Sequence, residues 1–549
     1  MTEPFSKARN DRAKSMIAPL LLLLILAVAT ALRVYGLNFG LPALNDPDEP
    51  LFMMTAFDML RNQSVNPGWF GHPGTITLYC LALTCVLVGA FGLLTGRYAD
   101  VDSFVSAVYA DPGLVWLPAR LFIAICGILC VLLTYHLGKR LGGKRLGLIA
   151  AAVLAVNAVH IEYSQIIRTD MQASVFMLLC TLSALAITRE GKTRQYVLAG
   201  IFVGLATATK WPAAVIALNP ICAGLWRLAH GMRGKSRLVL FGMTAAVTLF
   251  ATSPFLLIDY QTVLRDVAGE ARPIHPGATS EGFFASLAWY ATNPLVGSFG
   301  VAGLALAMIG LLWIPFRDRK WAVAALPGAL MFLIVICAQN LLWERWIGPI
   351  LPFFALGIAF ALCALGDYLR GRFGDRARFA APVALALLLV PMLNTNRIST
   401  IERTHDTRQM ASAWIRGHAP PGSTVLVEDA AIDLLHDGTR LLFPLGAAGC
   451  IDAKRILAGR IKYSQVETAR SSSPIVDLGH MDMSLLPSCR ADYALLTHYE
   501  RYRANPVQFA EELRRYRHVM RNARVETVFR PEPGKSSGPI VHVLAMGEK

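Results

Sequence analysis

From residue 16 to residue 395 the chain repeats one pattern, a long apolar run closed by a short polar or basic stretch. Beyond that point the apolar runs shrink to a few residues. A helix needs about 20 apolar residues to cross the hydrocarbon of a bilayer. The pattern predicts spans at 16–36, 118–138, 146–160, 171–188, 197–209, 212–228, 238–258, 295–315, 322–341, 347–366 and 379–395. Residues 37–117 form the first loop, in which Phe52, Ala56, Met59 and Leu60 recur at helical spacing between Leu51 and Arg61.

A further apolar run, 76–94, is long enough to span but fits the charge pattern poorly. Counted as a span, it sends the basic turn Lys139-Arg140-Leu141-Gly142-Gly143-Lys144-Arg145 to the face opposite the basic N-terminus. Lys and Arg collect on the cytoplasmic side, so 76–94 is expected to lie along or dip into the interface. About 11 spans then remain, and the basic loops at 139–145, 189–194, 227–237, 317–320 and 370–378 share the side of the N-terminus. Lys7, Arg9, Arg12 and Lys14 precede the first run, and an Ala-x-Ala pattern lies at 27–31, features shared with signal peptides. The run is nevertheless read as a retained helix because the topology needs it as a span.

An odd number of spans places residues 396–549 outside the cytoplasm. There, short runs (Thr424 to Val427, Tyr493 to Thr497, Val525 to Phe529, Ile540 to Leu544) alternate with helical patterns (Thr407 to Arg416, Pro506 to Val519). This predicts a soluble α/β domain. The expected architecture is therefore a polytopic α-helical module over 1–395 and an extracytoplasmic α/β domain over 396–549.

Composition agrees with a membrane protein. Of 549 residues, 54% are hydrophobic and only 16% charged, and the mean hydropathy is +0.47. The formal charge of +15 would suggest nucleic acid in a soluble protein, but here it falls in short loops, where it orients the helices. Eight of the ten cysteines lie in apolar runs and read as small core residues. Cys450 and Cys489 stand in the soluble part, where an oxidising compartment would permit a bridge.

The remaining charges gather at the outer ends of the spans: Asp46, Asp48, Glu49, Arg120, Glu162, Arg168, Asp170, Lys210, Arg272, Glu344 and Arg345. Charge beside lipid is costly unless it pairs, faces a cavity or serves a function. Interfacial anchoring and helix capping are the structural alternatives, and Asp48 suits the start of a helix beginning near Pro50. A carboxylate held at a helix start also has the fixed direction a general base requires. Asp46 reads as a loop carboxylate, and the tryptophans of Trp343-Glu344-Arg345-Trp346 as interfacial anchors.

Asp48-Glu49 in the first outer loop, His72-Pro73 before an apolar stretch, Arg120 at a span start, Arg168-Thr169-Asp170 in the second outer loop, and Gly204-Leu205-Ala206-x3-Lys210 occur in that order. Together they resemble the family 39-type glycosyltransferases of the C-type membrane fold, which include protein O-mannosyltransferases and the lipid A aminoarabinose transferase. The resemblance covers roughly residues 16–360. It implies transfer of a sugar, with inversion, from a polyprenyl-phosphate carrier to an extracytoplasmic glycolipid, polysaccharide or protein hydroxyl. On that resemblance Asp48 is the base, Asp170 a second acid near the sugar, and Glu49 a neighbour of open role. Lys210, Arg120, Arg168, Arg345, Arg272, His275 and His72 are the candidates for the donor phosphate. Related transferases often carry lysine where His72 stands. Arg168 has a second reading, as a structural partner of Asp170 or Glu162.

Two other functions compete with this reading. A transporter would place charges near the midplane and show paired repeats, whereas these charges share one face. A non-catalytic relative would act through its soluble domain. Asp46, Asp48, Glu49 and Asp170 are hard oxygen ligands that leave a divalent cation as an alternative, but no His/Cys spacing demands a metal, so the reaction is expected to need no cofactor. The bacterial inner membrane is the expected location, with a lipid-linked sugar and an outer acceptor as partners and no nucleic acid.

Overall fold

The computed structural model describes residues 3–547 apart from 73, 233, 271–273, 275–277, 429–430, 436, 447–448, 458–476 and 522. It divides into two units: 1–37, 52–85 and 118–397 in the first, and 38–51, 86–117 and 398–549 in the second. The second unit therefore takes in two pieces of the first loop as well as the C-terminal domain.

Among the described residues the first unit is built from helices, as a bilayer requires of backbone groups that water cannot reach. Asp170–Arg189 packs against Thr193–Thr209 and Leu218–Ala229, Thr193–Thr209 against Lys235–Thr252, and Val296–Arg317 against Leu351–Phe373. Small residues permit these approaches, since helices in lipid gain their association from close packing. A Cβ on Gly204 would lie 2.7 Å from the Ala245 carbonyl oxygen, and one on Gly310 would collide with the Gly357 carbonyl. The basic turn at 139–145 breaks Gly113–Ala155 into two helices, with Gly142 and Gly143 outside helical geometry.

Among the described residues nine stretches are long and apolar enough to cross a membrane, one being Thr75–Leu94. That run is a single unbroken helix of 20 residues. Its assignment to the interface rests on charge distribution alone. Thr193–Thr209 and Lys235–Thr252, expected as spans, do not figure among the nine.

The second unit holds a six-stranded sheet: β1 (Thr424–Val427), β2 (Arg440–Pro444), β3 (Cys450–Asp452), β4 (Tyr493–Leu496), β5 (Ala523–Phe529) and β6 (Val541–Met546). Their order is β3-β2-β1-β4-β6-β5. β1 runs parallel to β2 and β4, while β3, β6 and β5 pair antiparallel at the flanks. Alternate residues face opposite layers. Leu426, Leu442, Ala494, Leu496 and Leu544 pack with Tyr502, Leu513 and Tyr516, whereas Val425, Val427, Leu441, Leu495 and Val543 pack with Ala411 and Ile415. A disulfide joins Cys450 to Cys489.

Candidate functional site

In the first unit Asp170, Lys210, Arg168 and Arg345 gather at the start of one helix. Asp170 is the first residue of Asp170–Arg189, with Thr169 at the N-cap, where a helix dipole favours a carboxylate. Lys210 ends Thr193–Thr209 and begins the 3-10 turn Trp211–Ala217, whose proline cannot continue the preceding helix. This break aims the lysine at Asp170: Nζ pairs with Oδ1, and both side chains are almost fully buried. Arg168 is buried and Arg345 half-buried. Both lie close enough for their charge to act on each member of the pair.

The cluster extends through Tyr163, whose hydroxyl donates to Glu344 Oε2 at 3.3 Å. Glu162, Glu344, Arg168 and Arg345 all act on Tyr163 electrostatically. The Arg345 guanidinium lies over the Trp343 ring, 4.7 Å from its centre, so that tryptophan holds a charged group as well as standing in an interfacial motif. Three carboxylates and three cations therefore share this region: Asp170, Glu162, Glu344, Lys210, Arg168 and Arg345. Sequence reasoning gave no role to Tyr163, and its adjacency to Glu162 was the only signal available.

The His72 loop joins the same place. Trp211 N donates to the His72 carbonyl at 3.0 Å, and Trp211 Nε1 to the Phe70 carbonyl at 3.2 Å. The imidazole packs between the rings of Phe52 and Trp69. A Cβ on Gly74, which has φ +66°, would stand 3.7 Å from Thr169 Cγ2. His72 is thus held within one residue of the lysine that pairs with Asp170.

Arg120 is fully buried, and its Nη1 donates to the Leu37 carbonyl at 2.8 Å, tying the foot of one helix to the end of the first. Arg33 occupies a comparable position that sequence reasoning passed over. Buried completely, it donates to the Ala155 carbonyl at 3.0 Å and to His160 Nδ1 at 2.8 Å. Its signal was a lone arginine closing the first apolar run. Arg272 and His275 lie outside the described residues.

The acidic loop belongs to the second unit. Asp46 Oδ1 accepts from the backbone N–H of Asp48 at 3.0 Å and of Glu49 at 3.2 Å, and the helix Glu49–Arg61 begins there. The helix start is where the sequence placed it, but the capping carboxylate is Asp46, expected only as a loop residue. Asp48 takes the half-buried position before the helix, and Glu49 is fully buried. Asn45 and Gln409 exchange side-chain hydrogen bonds of 2.9 and 2.6 Å, which anchor this loop to the C-terminal domain. Among the described residues, no group of three His, Cys, Asp or Glu is arranged to hold a metal ion.

Residues 113–258, which carry Arg120, Arg168, Asp170 and Lys210, match the family model described as dolichyl-phosphate-mannose-protein mannosyltransferase. No curated protein matches the chain in sequence. Among solved structures, the chain is similar to ArnT from Cupriavidus metallidurans in the apo state, at TM-score 0.54 and 15% identity over 96% of this chain and 97% of that one. The same ArnT bound to undecaprenyl phosphate gives TM-score 0.53 and 14% identity over 96% and 98%. The archaeal oligosaccharyltransferase AglB from Archaeoglobus fulgidus, in complex with an inhibitory peptide and a dolichol-phosphate, gives 0.51 and 14% over 91% and 72%. The chain is a membrane protein of the C-type glycosyltransferase fold.

Proposed function

We propose that the protein is an inverting glycosyltransferase that moves a sugar from a polyprenyl-phosphate carrier to a hydroxyl acceptor, on a glycolipid, a polysaccharide or a protein, at the extracytoplasmic face. The observation that carries this reading is the gathering of Arg168, Arg345 and the Lys210–Asp170 pair around one helix start in this fold. Structures of two proteins with the same fold hold polyprenyl phosphates. In this reading the bacterial inner membrane is the location, with the C-terminal domain outside.

The chemistry assigned to each residue follows from what the reaction must move. The acceptor oxygen attacks the anomeric carbon as the bond from that carbon to the phosphate oxygen breaks, and the carrier departs as the lipid phosphate. Asp48 takes the acceptor's proton and later releases it to water. The phosphate carries the bond electrons away as negative charge. Arg168 and Arg345 stabilise that charge, since guanidinium forks match phosphate oxygens. Lys210 contributes as part of its pair with Asp170, which fixes the direction of the ammonium. Asp170 stabilises the positive character that develops on the sugar. Arg120 holds helix ends in place, and His72 positions the loop beside Lys210. The reaction is proposed to run without a metal.

Mass spectrometry of glycolipids and envelope proteins from cells with and without the gene tests the reading. A mass increment of one sugar on a defined acceptor, lost on deletion, is expected. Identical profiles would overturn it.

A further inference from the structure

A second charged site lies at the far end of Leu351–Phe373, part of the most buried membrane-length stretch among the described residues. Leu351–Phe373 begins beside Arg345 and ends at Arg370 and Arg372. At 1.5 Å per residue, Arg370 stands about 30 Å along the axis from the start. There a cavity of about 180 Å³ is lined by Arg145, Gly366, Arg370, Arg378, Ala381 and Pro382. Its arginines come from three places: the basic turn after Gly142-Gly143, the last turn of Leu351–Phe373, and the link to Ala380–Thr404.

Two features distinguish this pocket from the ordinary basic fringe of a membrane helix. Gly366 shapes it: a Cβ there would lie 2.6 Å from Arg145 Nη2 and 2.8 Å from Ala381 Cβ, so a side chain would displace the guanidinium from the helix. The charge is also lopsided. Arg145 Nη1 pairs with Asp367 Oδ1 at 2.7 Å, yet two further arginines line the same cavity.

The surroundings are lipid-like. Leu365, Tyr368, Phe373, Phe379 and Val383, on the same two helices and the link between them, are exposed. The Arg378 guanidinium lies over the Phe379 ring at 4.7 Å. Aromatic and arginine side chains arranged in this way mark the level of the headgroups. A ligand here meets arginines at its polar end and apolar side chains beside them.

We propose that this pocket binds the phosphate headgroup of an anionic phospholipid, whose acyl chains lie against the exposed apolar residues next to it. Arginine is suited to the task because its planar fork pairs with two phosphate oxygens at once, and basic pockets between membrane helices recognise such headgroups. A zwitterionic lipid, with its own cation, gains far less.

The test uses the full-length protein, delipidated in detergent and titrated with phosphatidylglycerol, phosphatidylcholine or inorganic phosphate, with adducts counted by native mass spectrometry and melting followed in parallel. Phosphatidylglycerol is expected to bind at least tenfold more tightly than phosphatidylcholine. R145Q/R370Q/R378Q should lose that preference, while R317Q/R319Q/K320Q, on another basic loop, should keep it. Gly366→Ala, which leaves every charge in place but crowds Arg145, should weaken binding severalfold and keeps the test valid if the triple variant folds poorly. Equal binding of both lipids, or undiminished preference in both pocket variants, would overturn the proposal. Arginine-dependent stabilisation by inorganic phosphate as strong as that by the lipid would overturn the lipid assignment.

Discussion

Lys210 and Asp170 form a buried ion pair, with 5% and 1% of their side chains exposed. The two are directly paired, so the lysine is not an isolated cation awaiting a phosphate. Removing one partner of a buried pair leaves an uncompensated charge, which typically costs about 3 to 5 kcal/mol. We predict that Lys210→Met or Asp170→Asn alone lowers the melting temperature of the detergent-purified protein sharply. The double variant should recover most of that loss while its transfer activity stays low. A double variant that is stable and fully active would reduce the pair to a structural role.

The disulfide gives a second prediction. Cys450 and Cys489 are 39 residues apart, and closing a loop of that length restricts the unfolded chain by about 4 kcal/mol on the entropic account. Peptide mapping of protein from the membrane without reductant should yield the linked pair, and Cys450→Ser/Cys489→Ser should speed proteolysis of the C-terminal domain. Free thiols at both positions in protein taken from the membrane would contradict the assignment of this domain to an oxidising compartment.

A third prediction concerns pH. Asp477 accepts from His480 Nδ1 at 2.9 Å, His498 Nδ1 at 3.2 Å and the Tyr502 hydroxyl at 2.5 Å. Burial alone would raise its carboxyl, but the bonds from the two histidines outweigh burial and hold it well below the ordinary value. Burial would likewise lower His480 and His498, and Asp477 overcomes it, so both are raised; Glu512 adds to this for His480 and Glu428 for His498, against Arg515 and Arg501 respectively. Glu428 is raised by burial, against the pull of His498 and the Tyr516 hydroxyl.

The lowered Asp477 adds stability that is complete above about pH 4 and disappears as the pH falls through its folded value. The raised histidines add stability that is complete below about pH 6.5 and disappears as the pH rises through their folded values. The raised Glu428 acts in the same sense as the histidines, its contribution fading as the pH climbs. Hydrogen-exchange protection of β1 and β4 should therefore fall as the pH rises above about 6.5, and His480→Gln/His498→Gln should flatten the decline. Level protection across that range in the unaltered protein would refute this account.

Much of this architecture was legible because membrane helices announce themselves by length and soluble strands by alternation. β1, β4, β5 and β6 fall close to the predicted runs, as do the helices Thr407–His418 and Ala510–Met520. β2 and β3 were missed: β2 closes on Pro444, a residue that argues against a strand, and β3 is three residues whose polar Asp452 breaks an apolar run. At the site, the charges singled out Asp170, Lys210, Arg168 and Arg345 as candidates, but their pairing was not readable. That Lys210 turns toward Asp170 depends on the helix break at Trp211-Pro212, and that Asp46 caps the helix depends on a loop conformation with no periodic signature. Arg33 and His160 stand 127 residues apart in sequence, so their contact is a property of packing alone.

The central claim is that Asp48 removes the acceptor's proton, and Asp48→Asn tests it most directly because the amide keeps the shape and loses the basicity. With Asp46 left to hold the helix start, the variant should melt as the unaltered protein does and transfer sugar about 10²- to 10⁴-fold more slowly, the usual worth of a general base. The measurement is the rate at which the sugar increment appears on the native acceptor, by mass spectrometry, in cells lacking the gene and supplied with either form. Loss of the increment in cells with normal amounts of the variant in the membrane is the predicted result. Undiminished transfer by Asp48→Asn would contradict the account.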